Sequence, residues 1–178
     1  STAGVCPFPE ELNQSYDIEA FPGFGGEPFS PETAKVLHAP LADSEVELKP
    51  DGAVYLPEVK YRKILNTAFG PGGWSLVPRG PHTLNGSILS REYALFCQNR
   101  FVSQARGSST IQGHSSSAAS TEAVRSNALM RCCKDLGVAS ELWDRNFVRP
   151  WLDKYAMKRS VTDKYGNTKI IFQRKQME

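Results

Sequence analysis

Apolar positions along the chain change their period several times, and each change marks a predicted element. Tyr61, Ile64, Leu65 and Ala68 recur at helical spacing. Leu56-Pro57 precedes them, with proline suited to a first turn and Glu58 complementing the positive helix end. Gly70 supplies a stop before Pro71, bounding an amphipathic helix. After the Gly72-Gly73 turn, Trp74 to Pro78 reads as a short strand, with Pro78 at an edge or an end. Ile88 to Cys97 and Arg100 to Arg106 follow as two β-rich runs separated by Gln98-Asn99, which suits a tight hairpin. Leu89, Arg91, Tyr93, Leu95 and Cys97 alternate with Ser90, Glu92, Ala94 and Phe96, predicting one mainly buried face.

Residues 107–120, with Gly107, Gly113 and many serines, read as a flexible polar loop, either a hairpin tip or a disordered connection. Thr121-Glu122 then opens a helix whose Val124, Ala128, Leu129, Cys132, Cys133 and Leu136 form an apolar stripe closed by Gly137. Trp143, Phe147, Trp151 and Tyr155 recur every four residues, but Pro150 argues against one continuous helix. The expectation is a short turn over 140–147 and a helix from Pro150 to about Lys158, with these aromatics serving the core or a subunit contact in preference to base stacking. The stretch Val161 to Phe172 reads as a hairpin turning at Gly166-Asn167. Ahead of all this, residues 1–50 carry many Pro and Gly and read as largely extended or irregular, except for a helical turn near Ser30 to Leu37.

These elements predict an α+β fold in which a three-stranded antiparallel sheet packs on helices. They divide the chain into an acidic Pro/Gly-rich arm at 1–55, a core domain at 56–158 and a basic C-terminal hairpin or tail at 159–178. A length of 178 residues suits one principal core. No apolar run approaches the ~20 residues of a membrane span. The first residues hold neither a secretory apolar core nor an Arg-rich presequence, so any targeting segment is expected to have been removed or never to have existed.

Charge adds information only when it is divided. The net charge is +2, but residues 1–56 hold ten acids against Lys35 and Lys49, for −8, and residues 57–178 hold nineteen Lys/Arg against nine acids, for +10. A basic body suits a polyphosphate partner, although a merely solvated basic surface has the same signature. The acidic arm suits disorder, a contact with a neighbouring subunit, or shielding of basic surface.

Candidate binding residues fall in three places. Arg131 and Lys134 share a helical face away from most of the apolar stripe, with Asn127 one turn before them, and two cations with an amide make a phosphate rail. Arg62 and Lys63 lie off the apolar stripe of the first helix. In the tail, Lys164, Lys169, Arg174 and Lys175 interleave with Tyr165 and Phe172, the chemistry by which cations follow phosphates while rings stack on bases of a single strand.

Catalytic and metal chemistry find little support. No Gly-x-x-x-x-Gly-Lys-Ser/Thr loop is present, and the body shows no close carboxylate cluster of the kind metal-dependent nucleases use. Cys6, Cys97, Cys132 and Cys133 match no common zinc spacing, so reduced and mostly buried thiols are expected, with no cofactor and no catalytic residue.

The strings YRKILNTAFGPGGWSLVPRG at 61–80, RFVSQARG at 100–107 and SNALMRCCKDLGVASELWD at 126–144 closely resemble the fungal mitochondrial genome maintenance recombinases. The resemblance covers roughly residues 55–158 and extends to the nuclear Rad-type single-strand annealing proteins. It implies a homo-oligomeric ring, ATP-independent annealing of complementary single-stranded DNA, recombination-dependent repair of mitochondrial DNA, and residence in the nucleoid of the mitochondrial matrix. In the nuclear relatives a basic-x-x-basic-x-x-Gly pattern binds DNA, and Arg131, Lys134 and Gly137 match it. A further cation of those relatives has Met130 at its matching position, so part of that site differs, and the tail cations are candidates to supply the difference.

Overall fold

The computed structural model describes residues 26–111 and 117–175. Helix α1, Pro31–Leu37, begins as expected: the Ser30 side chain accepts the Thr33 N–H at 3.2 Å, Pro31 fills the first turn and Glu32 faces the positive helix end. The chain next forms a 3-10 turn at Asp43–Glu45 and a small hairpin of β1, Glu47–Leu48, and β2, Val54–Tyr55. The described part of the arm is therefore more ordered than its Pro and Gly content predicts. Two-residue strands are too short for any period to reveal.

Helix α2, Glu58–Phe69, ends at Gly70, as its spacing predicts. The main sheet comprises β3, Trp74–Pro78; β4, Thr83–Asn85; β5, Ile88–Cys97; and β6, Arg100–Thr110. It has four strands, not three: β5 pairs with β6 along one edge, and β3 and β4 share the other. Gln98 and Asn99 join β5 to β6 with φ of 51° and 62°, the left-handed pair that matches the twist of a two-residue hairpin. Residues 107–110, expected in a loop, continue β6.

Tyr93, Leu95 and Cys97 point into the core, as the alternation predicts. The other face is not open. Glu92 is only 6% exposed because Arg106 stands 3.2 Å from its carboxylate and Gln104 donates to it.

Helix α3, Ser117–Cys132, starts four residues before the expected Thr121 and continues as a 3-10 turn, Cys133–Leu136, closed by Gly137 at φ 74°. Its Val124, Ala128, Leu129, Cys132 and Cys133 meet Leu65 and Phe69 of α2 and the inner face of the sheet. Gly107 permits a close approach, since a Cβ there would stand 2.0 Å from the Val124 carbonyl oxygen.

Helix α4, Arg145–Tyr155, corrects two expectations. Pro150 lies inside it, not at its start, and Lys158 lies beyond it in β7, Ala156–Thr162. A proline in the sixth helical position removes one hydrogen bond to Asn146, but both residues are exposed, so water can satisfy the freed carbonyl. The real break is Asp144, which caps α4 by accepting the Asn146 N–H at 2.8 Å.

Strand β7 pairs with β8, Thr168–Arg174, in the expected tail hairpin. A second core cluster of Val46, Trp151 and Tyr155 holds α4 against the residues before β1. There the Tyr155 hydroxyl donates to the Asp43 carboxylate at 2.8 Å, and the Trp151 indole donates to the Asp43 carbonyl at 3.2 Å. No helix among the described residues is long and apolar enough to cross a membrane.

Candidate nucleic-acid interface

Asn127, Arg131 and Lys134 follow one another at four and three residues, so α3 and its 3-10 extension present them on one side. They line a groove of about 470 Å³. Lys49, Val54 and Tyr55 of the small hairpin form part of its lining, as do Leu142 and Trp143 of the 3-10 turn Ser140–Trp143. Among the described residues the lining includes three cations, Lys49, Arg131 and Lys134, and no carboxylate.

The rail is stitched to the sheet. The Ser108 N–H donates to the Asn127 side-chain oxygen at 3.0 Å, and the Arg131 guanidinium donates to the Arg106 carbonyl at 2.9 Å. These bonds fix the side-chain stems while both cations remain exposed. The Lys134 ammonium stands 3.3 Å from the centre of the Trp143 ring, and the Lys49 ammonium 5.4 Å from that of Tyr55. Cations paired with rings in this way keep their charge available to an anion. A trough whose described lining has three cations, no carboxylate and two rings fits a strand that offers phosphates and bases together.

The remaining candidates lie elsewhere. Arg62 is engaged by Glu58 one turn earlier and stands over Trp74, and Lys63 borders a separate apolar depression with Val36 and Ile64. The tail candidates divide. Lys164, Tyr165 and Lys169 are exposed on the hairpin, with Tyr165 77% accessible. Phe172, Arg174 and Lys175 have structural partners. The Phe172 ring lies against Gly52 and its N–H donates to the Pro50 carbonyl at 2.9 Å. Arg174 donates to the Val46 carbonyl at 2.7 Å and stands over the Trp151 and Tyr155 rings. The Lys175 ammonium donates to the carbonyls of Asp153 and Lys154 near the end of α4. Lys49, Tyr55 and Trp143 were not anticipated by the sequence pattern, and Met130, at the position of the relatives' further cation, lines the groove as an apolar residue.

Chemistry beyond binding is scarce. Cys97, Cys132 and Cys133 are free and buried. Burial pushes the Cys97 thiol up to about 12 and that of Cys132 to about 11, and raises Cys133 as well. Among the described residues no group of three or more His, Cys, Asp or Glu side chains could hold a metal ion.

Comparison with known proteins fixes the family. The family described as "Mitochondrial genome maintenance MGM101" matches residues 17–178. The chain belongs to this family. A mitochondrial genome maintenance protein MGM101 of Candida albicans is 51% identical over 161 residues, covering 90% of this chain and 57% of the relative. The mgm101 protein of Schizosaccharomyces pombe is 55% identical over 131 residues, covering 74% of this chain and 48% of the relative. A homologue in Dictyostelium discoideum is 49% identical over 149 residues, covering 83% of this chain and 40% of the relative. The chain spans about half the length of the curated MGM101 relatives it matches. Both the α3 rail and the small hairpin that faces it fall inside the matched region.

Proposed function

We propose that this chain binds single-stranded DNA in the groove beside α3 and anneals it to a complementary strand without ATP. The observation that carries the reading is a lining that, among the described residues, combines Lys49, Arg131 and Lys134 with the rings of Tyr55 and Trp143 and includes no carboxylate. Cations hold the strand by its phosphates and leave base edges free to test a second strand. Matched stacking retains a correct pair, so the protein acts as a non-enzymatic annealer that needs no cofactor. In a homo-oligomeric ring, repetition of the groove would give a strand many weak contacts at once. Membership of the family supports a setting in mitochondrial genome maintenance, and recombination-dependent repair in the nucleoid of the matrix is the part of that work to which annealing is suited.

The test is the rate at which two complementary labelled oligonucleotides pair in the presence of the purified chain, without ATP or metal, across a salt series. Pairing faster than the spontaneous rate, and slowing as salt rises, supports annealing through phosphate contacts. Tight binding without faster pairing points to a DNA-coating protein instead.

A further inference from the structure

Trp143 is the one tryptophan of the three that the fold leaves largely open. Trp151 is 3% exposed, Trp74 is half-buried and donates its indole N–H to Asn66 at 2.8 Å, and Trp143 is 64% exposed. An exposed indole forgoes a large hydrophobic gain, so its position needs a reason. Trp143 closes a 3-10 turn that starts from Ala139, held at φ 55°, and Asp144 beyond it is committed to capping α4. The ring is thereby presented from a fixed piece of backbone at the wall of the groove, with the Lys134 ammonium 3.3 Å from its centre.

We infer that Trp143 is a base-stacking platform, paired with Lys134 so that one nucleotide is held by both its phosphate and its base, and that it sets the preference for single strands over duplex. This rests on the reading of the groove given above and adds to it the residue that discriminates. Phosphates are common to both forms of DNA, so Lys49, Arg131 and Lys134 attract either. A base in a duplex has both faces covered by its neighbours and cannot reach an indole without unstacking. An unpaired base can. The Lys134 ammonium covers one face of the indole in the free protein, so a base would stack on the other face, within a nucleotide's length of the same ammonium.

The test compares the full chain with its Trp143→Leu and Trp143→Phe variants for affinity to oligothymidylate and to a duplex of equal length. Tryptophan fluorescence is followed in each titration. Leucine should lower single-strand affinity by about tenfold, in keeping with the worth of one stacked base, while changing duplex affinity by less than about twofold. Phenylalanine should retain most single-strand affinity, because a stacking face remains. Wild type should show fluorescence quenching on single-strand addition, and Trp143→Phe should lose it although Trp74 and Trp151 are still present. Equal losses on both DNA forms, a smaller assembly in sedimentation with either variant, or quenching that survives in Trp143→Phe would overturn the inference. If wild type neither binds single strands nor speeds their pairing, the function proposed for the groove fails. If wild type does both and Trp143→Leu leaves the affinity ratio unchanged, only the role of Trp143 fails.

Discussion

Sheet and helix approach closely at Gly107, and adding a single carbon there tests how firmly the groove is fixed. In Gly107→Ala the new Cβ would stand 2.0 Å from the Val124 carbonyl oxygen, 2.8 Å from the Ala128 nitrogen and 2.9 Å from the Ala128 Cβ, whereas ordinary contact begins at 3.4 Å. The nearest two obstacles are backbone, which no rotamer change can move, so α3 and β6 must separate. Overpacking a core usually costs about 1–3 kcal/mol, and a clash against backbone belongs at the upper end. For a chain of this size each kcal/mol lowers Tm by about 2–4 °C, so a fall of about 6–12 °C is expected. The same separation pulls Asn127 from the Ser108 N–H and Arg131 from the Arg106 carbonyl, so single-strand affinity falls too. Gly72→Ala is the control: nothing lies within 4 Å of its Cβ and φ is 81°. It pays only the left-handed penalty, about 1–2 kcal/mol, and leaves DNA affinity intact. Thermal unfolding followed by circular dichroism, with oligonucleotide anisotropy on the same samples, reads both effects. A Gly107→Ala variant that melts within about 2 °C of wild type and binds DNA equally well would refute the close packing of α3 on β6.

Three further outcomes follow from the same contacts. Replacing Arg131 and Lys134 together by alanine should weaken single-strand binding and flatten the plot of log affinity against log salt by about 1.4, at ~0.7 per lost phosphate contact; an unchanged slope in the folded variant removes them from the interface. Arg174→Ala loses charged hydrogen bonds to the Val46 and Asp43 carbonyls, so amide exchange in β8 should quicken by an amount equivalent to about 1.5–3 kcal/mol, well beyond any change in β5. The buried thiols of Cys97, Cys132 and Cys133 should resist alkylation near neutral pH and react on unfolding. Because burial raises the folded pKa of Cys97 from 9.0 to about 12, the native state keeps a proton that the unfolded chain has lost. Stability from this source is complete below pH 9 and declines as pH climbs toward 12, which urea titrations across that range will reveal.

Much of the main domain could be read from periodicity because its signals are local. Alternation over Ile88 to Cys97, the Gln98-Asn99 turn, proline before α2 and glycine after it each act within a few residues; the structure honours the turn and the helix ends, and the strand itself, but Glu92 and Ala94 of the face expected to be open are buried as well. Strand β4 escaped notice because three residues carry no period and Pro81 stands just before it. Pro150 misled because a general penalty was applied without knowing that this turn of α4 faces water. The groove was half legible. Arg131 and Lys134 are three apart on one helix, a relation that sequence displays, whereas Lys49 and Tyr55 join them only through tertiary folding, from a region whose overall charge is negative. Trp143 was grouped with Phe147, Trp151 and Tyr155 by their four-residue spacing, but the cap at Asp144 separates it from that helix and turns it outward.

The ties between the start and the end of the described chain have a kinetic consequence. Trp151 and Tyr155 reach Asp43 across 108 and 112 residues, and Arg174 reaches Val46 across 128. Contacts this distant in sequence carry a larger loop-closure cost than those of the β5–β6 hairpin, so they are expected to close after it. Lys49 and Tyr55 ride on the segment that these contacts pin down, so a refolding chain is expected to complete its sheet and its rail before the opposite wall. On that order the groove is completed last, and a chain truncated before β8 is expected to lose the Arg174 tie to the segment that carries Lys49 and Tyr55.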